Sequence, residues 1–175
     1  MTDNNIHVLI VEDTMTQALM LQHLLESHGY KTTITRSPAK ALEFLAGNKP
    51  DIILSDVSMP DMDGYELCRR LKSANETKDI PFVLLSSFND PRDIVSIINS
   101  NADTFMLKRF DEKYFLTRLS DLLESRKLRQ GGASVRDFVF QGDKHAINGD
   151  PTQLTDMVLS AFATVMHLLP LVHEE

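Results

Sequence analysis

The chain contains one cysteine, Cys68, in 175 residues, so neither an intramolecular disulfide nor a thiolate metal cage is available. Cys68 itself reads as a small apolar residue on a helix. Long hydrophobic runs are also scarce. The N-terminal "MTDNNIHVLIVED" lacks a basic region leading into a long apolar stretch, so no secretory leader is expected. The most apolar stretch, "VLSAFATVMHLLPLV" near the end, is interrupted by His167 and Pro170 and is short for a bilayer crossing. The expectation is a cytoplasmic chain with no membrane insertion. Basic charge is in deficit: 18 Lys and Arg stand against 25 Asp and Glu, a net charge of −7. That balance argues against a nucleic-acid surface. Glycine is missing where a phosphate-cradling loop would need it. The turn after the first apolar run reads "VEDTMTQ", with acids in place of glycines, which makes a flavin or nucleotide phosphate a poor occupant.

What is present is a regular alternation. The apolar fraction of 42% supports an ordinary folded core, and the length fits one domain plus an appendage. "IHVLIV" (6–11), "TTITR" (32–36), "DIILS" (51–55), "PFVLLSS" (81–87) and "DTFML" (103–107) have the short, apolar or β-branched character of buried parallel strands. Helical patterns lie between them. Residues 14–28 place Ala18, Leu21, Leu24 and Leu25 near one face and end at Gly29. Pro38 opens a second helix that Gly47 closes. Residues 64–73, 91–100 and 111–129 supply three more. Parallel strands need crossovers, so the pattern predicts an α/β fold, a doubly wound five-stranded sheet of flavodoxin-like order 2-1-3-4-5. Ligands of such sheets bind beyond the carboxyl ends of the strands, between strands 1 and 3.

That rule gathers a specific set of side chains. Strand 1 ends in Glu12 and Asp13, strand 3 in Asp56, strand 4 in Ser86 and Ser87, and strand 5 in Lys108. Asp13 is also a candidate helix N-cap. Three carboxylates at one rim repel one another unless a cation or protons intervene. A few oxygen ligands point to Mg²⁺, or Mn²⁺, with retained waters rather than zinc. A metal and Lys108 would neutralise an incoming phosphoryl group, Ser86 would donate to one of its oxygens, and Asp56 would be the nucleophile.

At this point the sequence resembles the receiver domain of two-component response regulators, over roughly residues 5–125. The resemblance rests on "VED" (11–13), "LSDVSMPDMDG" (54–64), "LLSS" (84–87) and "MLKR" (106–109), in that order on the β/α alternation. It implies Asp56 as phospho-acceptor, Glu12 and Asp13 as metal-binding acids, and the Ser58 carbonyl as a further metal ligand. It implies Ser86 and Lys108 as the phosphoryl-binding pair, and Ser86 with Phe105 as the switch residues. Pro60 and Gly64 would shape the loop over the site, and Ser58 and Phe88 would influence the lifetime of the phosphoryl group. Mg²⁺ would be the cofactor, and a sensor histidine kinase or phosphotransfer protein the donor. The surface of helix 4, strand 5 and helix 5 would change its partner preference. Three positions depart from the pattern. Arg109 stands where the family usually has a cis proline, and a non-proline cis bond costs about 2.5–4 kcal/mol, so a trans, shifted loop is expected. Phe105 has no hydroxyl, so switching there works by packing. Glu12 is one methylene longer than the commoner aspartate.

Residues 126–175 form the appendage. They continue helix 5 as "SRKLRQ", break at Gly131-Gly132, and read as a β-hairpin with a turn near Gly142. A helix then opens at Asp150-Pro151, with Leu154, Met157, Val158, Ala161, Phe162, Val165, Leu168 and Leu169 as an apolar stripe. About 50 residues are too few for an independent core, so the stripe is expected to cover the receiver, a downstream domain or a second copy as a homodimer. Five basic and six acidic residues there do not suit DNA binding. His145, His167 and His173 lack metal-ligand spacing. The extension loosely resembles the connector behind receivers in hybrid sensor kinases, which would make this the N-terminal receiver of a longer chain that could carry a histidine kinase. No enzymatic activity is expected beyond self-phosphorylation from a donor and autodephosphorylation. Two other readings stand beside this one. One is a Mg²⁺-dependent phosphohydrolase with an aspartyl-phosphate intermediate, although "VEDTMT" lacks its usual nucleophile–acid spacing. The other is a degenerate receiver acting as an interaction module.

Overall fold

Five apolar segments become the five strands of one parallel sheet: β1 (His7–Val11), β2 (Lys31–Thr35), β3 (Ile52–Asp56), β4 (Phe82–Ser86) and β5 (Thr104–Leu107). The computed structural model describes residues 5–87, 93–108, 111–130, 137–140, 142–146 and 158. The strand order is β2-β1-β3-β4-β5, as the alternation predicts. Every pairing is parallel, with Ile10 opposite Leu54, Asp56 opposite Leu85 and Ser86 opposite Leu107. β3 and β4 are buried at every position, which is why their sequences run apolar without alternating.

The helices α1 (Met15–Ser27), α2 (Pro38–Leu45), α3 (Gly64–Ser73), α4 (Asp93–Asn99) and α5 (Glu112–Gln130) cover both faces. Leu21 and Leu25 of α1 and Phe115, Leu119 and Leu123 of α5 pack with Val8, Ile10, Ile52, Leu54, Val83 and Leu85. On the other face Ala41, Tyr65, Leu67, Cys68, Leu71 and Ile97 meet Leu9, Val11, Ile53, Phe82 and Leu84. Successive residues of each strand therefore feed opposite cores, the period of two that a strand imposes. Burial pushes the Cys68 thiol up to about 11, so it stays protonated and unreactive at neutral pH.

Helix ends follow local chemistry. Ser37 caps α2, with its hydroxyl accepting from the Lys40 N–H, and Pro38 sits in the first turn. Asp63 caps α3 by accepting from the Glu66 N–H at 2.8 Å. The N-cap of α1 is Thr14 rather than Asp13, and its side chain makes no capping bond.

A polar clamp closes the opposite end of the sheet. Asp103 accepts from the Phe82 N–H at 2.7 Å and from Lys72 Nζ at 2.6 Å. Lys72 also donates to the carbonyls of Lys78 and Ile80. The lysine side chain is only 12% exposed. Asp103→Ala is expected to cost about 2 kcal/mol, because the Phe82 N–H loses its acceptor and the Lys72 ammonium keeps only its two carbonyl acceptors. Thermal or urea melting measures this, and a loss under about 1 kcal/mol would show that solvent replaces the carboxylate.

Behind α5 the chain forms a hairpin, β6 (Asp137–Phe140) with β7 (Asp143–Ala146), paired antiparallel with Phe140 opposite Asp143. Gly142 takes φ +85° in its turn, a conformation that costs glycine nothing. β6 packs against α5, and the Gly142 N–H donates to Asp121 Oδ1 at 3.1 Å. The hairpin is thus tied to the helix that packs on the five-stranded sheet. Of the expected terminal helix only Val158 is described, helical and exposed; the rest of its stripe lies outside the described residues, as do Phe88 and Arg109.

Candidate functional site

β1 and β3 are neighbours whose following helices leave toward opposite faces, so a crevice opens at their carboxyl ends. Sequence order delivers the acids there. Glu12 and Asp13 follow β1 directly, and Asp56 is the last residue of β3. One carboxylate oxygen from each of Glu12, Asp13 and Asp56 lies within 4.8 Å of the others. Glu12 and Asp56 are buried, while Asp13 is half-buried. The donors are all oxygen, the set that a small hard divalent cation prefers.

Lys108 enters from the end of β5. Its N–H donates to the Ser86 carbonyl at 2.8 Å, extending the β4–β5 ladder by one residue. The ammonium reaches Asp56 Oδ2 at 2.8 Å and Glu12 Oε2 at 3.1 Å. Burial lowers the basicity of Lys108, and its bonds to Asp56 and Glu12 more than offset that, so the net shift is upward. The Glu12 carboxyl is pushed up by burial, aided by the nearby Asp56 charge and only partly countered by Lys108 and the Thr14 N–H. Lys108 therefore offsets the cost of burying the Glu12 charge only in part.

The remaining expected residues sit around this pair. Ser86 is buried at the end of β4, one place beyond the Leu85 that pairs with Asp56. The Ser58 N–H donates to Asp56 Oδ1 at 3.2 Å, fixing the second carboxylate oxygen. Phe105 is half-buried and packs into the core on the α4 side. Gly64 starts α3 with its N–H on the Val57 carbonyl at 2.9 Å. A Cβ at that position would lie 2.2 Å from the Asp56 carbonyl oxygen. Pro60 accepts from the Met62 N–H, and Asp61 takes φ +68° in the same loop.

One contact was not expected. Lys108 Nζ also donates to Gln17 Oε1 of α1 at 2.6 Å. The available signal was "TMTQ" at 14–17, a Thr followed three residues later by Gln, which ordinarily reads as a helix start.

Parallel order 2-1-3-4-5, three clustered acids and a lysine bridging two of them define a receiver site, and residues 8–120 match the family model for the response regulator receiver domain. The chain belongs to that family, the receiver domains of two-component signalling. Among its relatives, the response regulator PleD of Caulobacter vibrioides is 33% identical over 133 residues, 74% of this chain and 29% of that protein. The response regulator MprA of Mycobacterium ulcerans is 30% identical over 130 residues, 74% of this chain and 55% of that protein. The chain thus spans about half, or less, of the length of these relatives. Among solved structures, the receiver domain of a signal transduction histidine kinase from Syntrophus aciditrophicus is similar at 43% identity and a TM-score of 0.65, covering 67% of this chain and 89% of that one. The receiver domain of a sensor histidine kinase from Pseudomonas aeruginosa shares the fold at 21% identity and a TM-score of 0.65, over 69% of this chain and 99% of that one. Its structure holds a magnesium ion in the active-site cleft. Among the described residues no helix is long and apolar enough to cross a membrane.

Proposed function

We propose that this receiver takes a phosphoryl group onto Asp56 from the phosphohistidine of a sensor kinase or phosphotransfer protein. The observation that carries the reading is Lys108 Nζ at 2.8 Å from Asp56, within a cluster of three acids at the sheet's switch point. An Asp56 carboxylate oxygen attacks phosphorus in line with the leaving imidazole. The P–N bond breaks, its electron pair returns to the ring nitrogen, and an aspartyl phosphate forms. Lys108 donates to an oxygen of the transferring group, and the Ser58 N–H keeps Asp56 turned toward it. Glu12, Asp13, Asp56 and the Ser58 carbonyl would hold Mg²⁺, or Mn²⁺. That ion supplies charge neutralisation at the phosphoryl oxygens.

The product adds roughly −2 charge beside β4. Ser86 turns toward it and Phe105 repacks, which changes the α4–β5–α5 surface. Val95, Ile98, Leu107 and Tyr114 already expose apolar area on these three elements. Water hydrolyses the bond later, at a rate set in part by Ser58 and Phe88. The reading places the chain in the cytoplasm without direct DNA binding. The receiver proper spans residues 1–125, and residues 126–175 serve as a connector through which two copies would pair. A histidine kinase or other output in a longer parent chain belongs to the same reading.

Intact-mass measurement after incubation with Mg²⁺ and phosphoramidate tests it. One phosphate per chain is expected, lost slowly on removing the donor and absent when EDTA replaces Mg²⁺. Repeated turnover of phosphate esters would make the protein a phosphohydrolase instead. A chain that takes up no phosphate would be an interaction module.

A further inference from the structure

We infer that Gln17 is a positioning residue for Lys108, holding the ammonium in place for phosphoryl transfer; this rests on the function proposed above. A lysine ammonium has three N–H donors. Here they meet three acceptors: Asp56 Oδ2 at 2.8 Å, Glu12 Oε2 at 3.1 Å and Gln17 Oε1 at 2.6 Å. Asp56 and Glu12 belong to the acid cluster, so an entering cation or phosphoryl group competes for both. Gln17 lies outside that cluster. Its carboxamide is neutral, so it orients Nζ without adding a charge that would repel phosphate. It is the one acceptor that the reaction leaves alone.

The first turn of α1 shows what this contact displaces. Thr14 is the N-cap and Gln17 the third helical residue, the T-x-x-Q spacing in which the glutamine ordinarily accepts from the cap's own N–H. That reciprocal bond is not made. The Thr14 N–H donates to Glu12 Oε1 at 3.1 Å, and the Thr14 side chain caps nothing in α1. Glu12 therefore binds the helix start with one oxygen and Lys108 with the other. With the cap N–H satisfied, Gln17 is released to reach across to β5. Glu12 and Gln17 thus act as a pair, coupling α1 to the lysine.

The test is a double-mutant cycle on the full chain, read as the rate of phosphoramidate labelling by intact mass. Gln17→Met keeps length and helix propensity but removes the acceptor. It is expected to slow labelling roughly 3- to 10-fold, the effect of losing one bond to a charged group in a partly exposed site. In a Lys108→Ala background the same change is expected to alter the rate less than about 2-fold, because the residue through which it acts is gone. The Mg²⁺ titration midpoint and the melting temperature of Gln17→Met should match the wild type, which separates positioning from a structural role. Labelling of Gln17→Met within 2-fold of the wild type overturns the inference and leaves the phospho-acceptor reading intact. Equal slowing with and without Lys108 also overturns it. A wild type that takes no label overturns both.

Discussion

Asp56→Asn is expected to slow phosphoramidate labelling by more than about 1000-fold, to the limit of detection, as removal of a nucleophile usually does. The amide keeps the shape of the carboxylate but has no charge with which to attack phosphorus. The fold should survive. Asn Oδ1 can still accept from the Ser58 N–H that Asp56 Oδ1 binds at 3.2 Å. Lys108 keeps Glu12 and Gln17 as acceptors. The cluster also loses one of its three mutually repelling charges, so the melting temperature should move by less than about 5 °C. Mass spectrometry and a thermal melt on the same sample decide the matter. Label persisting in a folded Asn variant would assign the nucleophile to another residue.

Gly64→Ala should damage fold and site together. The added Cβ would lie 2.2 Å from the Asp56 carbonyl oxygen and 3.0 Å from both the Asp56 carbonyl carbon and Val57 Cα. All three are backbone atoms, so no side-chain rotation relieves the contact. The backbone is also held from the other side, because the Gly64 N–H is bonded to the Val57 carbonyl. Either α3 backs away from β3, opening the core around Leu67 and Cys68, or the end of β3 shifts and carries the carboxylate off Lys108. A loss of about 3 kcal/mol is expected, at the upper end for overpacking, with labelling slowed in whatever remains folded. Gly47→Ala is the control, since nothing lies within 4 Å of its added Cβ. If both variants melt like the wild type, α3 does not start against β3 as described.

Much of this was legible in advance. Five apolar runs separated by helical periods left few alternatives to a doubly wound sheet, because buried parallel strands need no alternation and must be joined by crossovers. The strand ends were readable to within a residue. β3 closes on Asp56 itself, one position beyond the last polar residue of the apolar run. The acids were legible because chain order plus sheet order fixes which strand ends meet. Gly142 marked the hairpin turn because a positive φ suits glycine.

What escaped the sequence involved contacts between residues far apart in it. Gln17 and Lys108 are separated by 91 positions, and nothing in "TMTQ" says that its glutamine leaves its own helix. The tie between Gly142 and Asp121 depends on how the hairpin lies on α5. Nor does sequence order tell whether Gly64 is a flexible joint or a point of close approach; the Asp56 carbonyl beneath it decides.

By itself, the sequence determined the α/β alternation, the strand order and the gathering of Glu12, Asp13, Asp56 and Lys108 at one rim. These follow from hydrophobic period and chain connectivity, which are local or topological. Only the tertiary structure decided how that rim is wired: which acceptors share the Lys108 donors, and why a glycine must stand at position 64. Those depend on distances of a few tenths of an ångström between separate elements, which packing alone sets.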